Sequence, residues 1–307
     1  MERENESALN EALKPYCDDC RRQLTIPEDA YKQYDIKRGL RNADGTGVLA
    51  GVTRICNVHG YILEDSQRRP TEGRLFYRGI DIRDIIEGCT AEDRFGFEEV
   101  VWLLLFGYLP TAEQLSGFTR LLEQHRELPE GFIEDMIIKA PSPNIMNKLA
   151  RSVLALYSYD ELAEDMSLEN IVRQSIELIA RVSTIMVNAY QVKKRYYDHE
   201  SLFFHSPIDG MSFSENILST LRFDRQFTRE EAKLLDICLI LHAEHGGGNN
   251  STFACRVLSS SGTDTYAAIS AAIGGLKGPR HGGANIKVMQ MLEGMKTAIR
   301  DSGDDEE

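Results

Sequence analysis

Residues 241–252 read LHAEHGGGNNST, and this stretch decides how the rest of the chain is read. An apolar run, LLDICLIL (234–241), leads into His242 and His245, and three consecutive glycines follow. Histidines three apart on a continuing helix share one face. Glycines 246–248 carry no Cβ, so a ligand or a second stretch of backbone can come close. Asn249, Asn250, Ser251 and Thr252 then supply amides and hydroxyls. Two readings compete. A metal site needs a third ligand, but Glu244 falls off the His242/His245 face, and H-A-E-H lacks the i, i+4 histidine spacing of the zinc motif H-E-x-x-H. The alternative is a capped helix end whose histidines bond to carbonyls, a reading that suits His242 well.

A second stretch, KGPRHGGAN (277–285), stands 281 − 245 = 36 residues further on. Gly278-Pro279 predicts a rigid turn, and Ala284 is the predicted start of a helix, so His281 sits at or just before a helix N-terminus. The partial positive charge there disfavours imidazolium and favours a neutral ring. A neutral imidazole donates at one nitrogen and accepts at the other. Such a group can stabilise a developing enolate oxygen. An anion site or a plain glycine-rich helix start would carry the same letters.

Working outward, the chain is helical on both sides of these motifs. Thr228-Arg-Glu-Glu231 is a capping box that opens the helix ending at His242. Thr111-Ala-Glu-Gln114 is another, followed by Leu115, Phe118, Leu121 and Leu122 at helical spacing. EEVVWLLLFG (98–107), residues 142–160, 167–195, 263–275 and 284–296 complete the predicted helices. Residues 36–80 differ: seven glycines punctuate short β-branched and aromatic pieces. VTRICNV (52–58) and RLFYRG (74–79) predict strands of a small antiparallel element near residues 48–80. The expected fold is mostly α, with a polar N-terminal extension (1–35), a large helical domain (36–297) and an acidic end (298–307).

Composition narrows the function classes. The 307 residues carry 35 basic and 48 acidic side chains, a net charge of −13. An acidic chain without a Lys/Arg-rich run predicts neither a nucleic-acid partner nor an anionic membrane. No 18-residue apolar run predicts a membrane span. The N-terminal MERENESALNEALK has neither a secretory nor a transit pattern, so a cytoplasmic location is expected. Six cysteines make no disulfide framework; Cys17 and Cys20 form one C-x-x-C without the second pair a zinc site needs.

HAEHGGGNNS (242–251) followed by GPRHGGAN (278–285) resembles the citrate synthase family. KRGLRNADGTGVLAGVTRI (37–55), LFYRGIDI (75–82), FEEVVWLLLFGYLP (97–110), IELIARVSTIMVNAY (176–190) and SFSENIL (212–218) agree, in the family's order. The resemblance implies condensation of acetyl-CoA with oxaloacetate, followed by thioester hydrolysis to citrate and CoA. By that resemblance His281 is the histidine that hydrogen-bonds the thioester oxygen, and His245 holds oxaloacetate. Asn249 and Ser251 belong to the loop that orients His281. No metal and no bound cofactor is implied; acetyl-CoA is a substrate. A homodimer, or a multiple of one, is the expected assembly.

The family's base, an Asp, its second oxaloacetate histidine and its arginine clamp have no counterpart in 286–307. The chain is therefore expected to stop before most of the small domain and to be inactive alone. Two rivals remain: a 2-methylcitrate synthase using propionyl-CoA, and a natural short form that has kept the scaffold as an interaction or regulatory subunit.

Overall fold

The computed structural model describes residues 42, 48, 53–64, 67–279 and 281–302. The stretch 1–35 with Cys17 and Cys20, and residues 303–307 of the acidic end, lie outside the described residues. Every element below belongs to one compact unit that begins at Ala50.

The β element is an antiparallel sheet of three strands, β1 (Cys56–Glu64), β2 (Gln67–Tyr77) and β3 (Ile80–Asp81), in that order. Both long strands are displaced from expectation. β1 starts at Cys56 rather than at 52 and runs on to Glu64, its register shifting between His59 and Tyr61. β2 stops at Tyr77 because Arg78 (φ 51°) and Gly79 (φ 89°) form the turn into β3. Two successive positive-φ residues suit a two-residue hairpin.

Helices follow as α1 (Ile82–Ala91), α2 (Phe97–Phe106), α3 (Ala112–Gln124), α4 (Ile145–Ala155), α5 (Leu168–Tyr197), α6 (Phe213–Leu221), α7 (Arg229–His242), α8 (Asn250–Ser259), α9 (Thr265–Lys277) and α10 (Ala284–Ser302). Both predicted capping boxes form, and Ser212 with Glu215 adds a third at α6. The sequence reading had no helix at α1, α6 or α8. Among the described residues no helix is long and apolar enough to cross a membrane.

Two helix starts are capped from elsewhere in the chain. The residue ahead of α2 is Gly96, which has no side chain to offer. Asp236 of α7 supplies the acceptor instead, taking the Gly96 amide at 2.7 Å and the Phe97 amide at 3.3 Å. Glu98 of α2 in turn accepts the Phe213 amide at the start of α6, at 2.6 Å. Burial pushes both carboxyls above their ordinary range, and the backbone donors pull the other way. Each helix start has four amides without an intrahelical partner, so these carboxylates answer a definite need.

The apolar faces meet in two main cores. Cys56, Tyr77, Ile82, Ile85, Val100, Leu103 and Ile240 join the sheet to α1, α2 and α7. Leu149, Val153, Leu178, Ile185, Val192 and Tyr266 join α4, α5 and α9. Full burial of such a side chain is worth roughly 1.5–3 kcal/mol. Asp160, behind the 3₁₀ turn Leu156–Tyr159, ties the second core together. It accepts from Arg173 at 2.8 Å and Gln174 at 2.9 Å, both on α5, and from Tyr266 of α9 at 2.8 Å. The far end of α9 is thereby fixed to deliver the turn that carries His281.

Candidate active site

α7 ends at His242, whose ring Nδ1–H donates to the Cys238 carbonyl at 2.7 Å. This histidine is spoken for by its own helix. The expectation that His242 and His245 share a helix face is corrected here, because the helix has stopped before His245. The cause is Glu244. Its Oε1 accepts the amides of His245 at 3.0 Å and Gly246 at 2.6 Å, so neither amide continues the helical ladder. Gly246 then turns with φ 105°, where a side chain would be strained. His245 emerges exposed.

Asn249 and Ser251 are not loop residues, as expected, but the N-cap and first turn of α8. Asn249 Oδ1 accepts the Thr252 amide at 2.9 Å, and its Nδ2 donates to the Gly246 carbonyl at 2.7 Å. One side chain thus starts the helix and fastens the glycine turn. The Asn249 side chain bonds to Gly246 and Thr252 and not to His281; the hydroxyl that meets His281 belongs to Ser251, two residues on. The letters Asn-Asn-Ser-Thr-Phe-Ala carried the cap signal, and the three preceding glycines obscured it.

His281 is held by tight backbone. Its amide donates to the Gly278 carbonyl at 3.0 Å, and the Gly282 amide donates to the Leu276 carbonyl at 2.9 Å. A Cβ on Gly282 would stand 2.2 Å from that carbonyl oxygen, so only glycine fits. Ahead of it, α8 packs closely on α9: a Cβ on Gly275 would be in van der Waals contact, 3.5 Å, with the Asn250 carbonyl oxygen and the Ser251 Cα. This close packing brings Ser251 Oγ to 3.3 Å from His281 Nε2. The His245 and His281 rings lie 6.3 Å apart, inclined at 65°. The two motifs, 36 residues apart in sequence, therefore meet as His245, His281 and Ser251.

Two neutral-capable imidazoles and a hydroxyl can bind carbonyl and carboxylate oxygens and hold a proton at a fixed place. Among the described residues no carboxylate hydrogen-bonds either ring, and no three His, Cys, Asp or Glu side chains converge as a metal set. A large apolar cavity of about 430 Å³, lined by Phe97, Leu178, Val182, Met186 and Phe213, holds neither histidine. Two residues shape the His245 turn in ways the sequence reading missed. Glu244, weighed there only as a metal ligand, bonds to the next two amides, while Tyr77 reaches the turn from 163 residues away.

The family model for the citrate synthase C-terminal domain matches residues 42–303. The chain belongs to the citrate synthase family. Citrate synthase of Haloferax volcanii is 32% identical over 264 residues, covering 84% of this chain and 62% of the relative. 2-Methylcitrate synthase 1 of Corynebacterium glutamicum is 33% identical over 264 residues, covering 84% and 61%. Among solved structures, the ternary complex of carboxymethyl coenzyme A and oxaloacetate with citrate synthase from Thermoplasma acidophilum superposes with a TM-score of 0.63. Its identity is 27%, over 77% of this chain and 56% of that one. This citrate synthase family chain spans about six-tenths of the length of those two curated relatives. Both activities named in the family thus occur at similar likeness.

Proposed function

We propose that the His245–His281–Ser251 cluster binds oxaloacetate and an acyl-CoA thioester for citrate synthase-type condensation. The observation that carries this reading is Ser251 Oγ at 3.3 Å from His281 Nε2, with the His245 ring alongside. When the hydroxyl donates to Nε2, Nδ1–H is the free donor of a neutral ring. It faces the thioester oxygen and stabilises the charge that grows there as the methyl group loses its proton. The enolate carbon then attacks the ketone carbon of oxaloacetate, which His245 orients. Hydrolysis of the thioester gives citrate and CoA.

Proton removal also needs a base within hydrogen-bond reach. Glu244 is the carboxylate nearest in sequence, and its Oε1 is occupied by two backbone amides. Among the described residues no carboxylate hydrogen-bonds either ring, so this proposal expects no turnover from the 307-residue chain alone and places the cluster in a cytoplasmic homodimer or a multiple of one.

The test pairs turnover with binding. Thiol release from acetyl-CoA plus oxaloacetate should stay at background for this chain. In histidine-labelled protein, oxaloacetate should shift the His245 ring signals, and acetyl-CoA those of His281. Rapid thiol release would sink the claim of a missing base. Silence of both rings would sink the site. The likeness to 2-methylcitrate synthase 1 favours a second reading, so propionyl-CoA is run in parallel. A stronger His281 response to propionyl-CoA would assign the 2-methylcitrate reaction.

A further inference from the structure

The His245 turn rests on a side chain from the sheet. Tyr77, the last residue of β2, is fully buried in the core between β2, α1, α2 and α7. Its hydroxyl lies 2.8 Å from the Ile240 carbonyl and 3.0 Å from the Glu244 carbonyl. It also accepts the Glu244 amide at 3.2 Å. One oxygen thus grips the last turn of α7 and Glu244, two residues beyond its end. Glu244 carries the grip onward, since its carboxylate takes the amides of the next two residues, His245 and Gly246. Below the same turn, the methyl groups of Val58 and Thr53 would each stand 3.8 Å from a Cβ placed on Gly246 and Gly247 respectively. The Tyr77 hydroxyl and Glu244 Oε1 both bond to backbone, so these two atoms serve the turn itself.

We infer that Tyr77 and Glu244 are positioning residues, a relay from the sheet that sets where the His245 ring stands relative to His281. The relay deepens the site reading under Proposed function and rests on it for its purpose. Its geometry is independent of any ligand. Tyr77 supplies the fixed end: a buried phenol bonded on both sides of the helix end cannot swing without losing partners. Glu244 supplies the shape: with the His245 and Gly246 amides on one oxygen, the helix that ends at His242 cannot resume at His245.

The experiment reads the turn directly, without ligand. Hydrogen exchange of the 243–248 amides is followed by mass spectrometry in the full chain and in Tyr77→Phe, Glu244→Ala and Glu244→Gln. Tyr77→Phe removes one oxygen and keeps the ring in the core. It should speed exchange in the turn by about three- to tenfold while α5 and α9 are unchanged. Glu244→Ala should do the same, and Glu244→Gln, which keeps an acceptor oxygen, should restore slow exchange. Unchanged exchange in Tyr77→Phe, or equal acceleration in α5 and α9, would overturn the relay. Oxaloacetate titration of the same variants separates the two proposals. A wild-type chain that ignores oxaloacetate refutes the substrate reading and leaves the exchange result standing. Weaker oxaloacetate binding in proportion to the faster exchange joins the two.

Discussion

Asp160 shows how much one carboxylate can settle in this chain. Burial alone would push its carboxyl up. The hydrogen bonds from Gln174, Tyr266 and Arg173 outweigh that and hold it at about 2, below the ordinary 3.8. As pH falls, the unfolded chain takes up this proton before the folded one. The stabilisation is therefore complete above about pH 4 and drains away between 4 and 2, a loss of ~2 kcal/mol. Asp160→Asn should flatten that part of the stability-against-pH curve, measured by urea unfolding at a series of pH values. A variant as acid-sensitive as the parent would refute the assignment. Nothing in the letters around Asp160 announces this role. Its partners lie as far as 106 residues away, and the sequence offers no pattern at that range.

At the scale of elements, what was legible divides by distance. The capping boxes at Thr111 and Thr228 could be read because both halves lie within one turn. The Ser212–Glu215 box has the same signature and is equally legible. His281 and Ser251 could be picked out because each sits in a local motif, and the tight Gly282 turn follows from adjacent letters. The relay through Tyr77 could not, since its acceptor on α7 is 163 residues away. The trans-cap on α2 is equally hidden, with Asp236 lying 140 residues from Gly96. Asp236→Ala leaves the buried Gly96 amide and the partly buried Phe97 amide without an acceptor and should cost about 1–3 kcal/mol. Chemical denaturation would show it as a lower midpoint with an unchanged slope. An unchanged midpoint would mean water replaces the carboxylate.

Across the whole molecule, apolar surface is unevenly covered. The two main cores are closed, yet α10 presents Ile286, Met289, Met291, Met295 and Ile299 at 50–64% exposure. A helix with that much uncovered apolar surface seeks a partner. Light scattering over a concentration series should show self-association, and Met289→Lys with Ile299→Lys should suppress it. A parent chain that stays monomeric at high concentration would contradict this. The acidic balance, −13 overall, slows association at low salt and should make it stronger as salt is added.

The long-range ties also set a timetable. A chain made at about 5–20 residues per second presents Gly96 some 7–28 s before Asp236 is synthesised. During that interval the first turn of α2 has no cap, and the phenol of Tyr77 has no carbonyl to meet. The core shared by the sheet, α1 and α2 lacks Ile240 until α7 leaves the ribosome. Nascent chains halted before residue 236 should therefore be held by chaperones, and those halted well after it should be released.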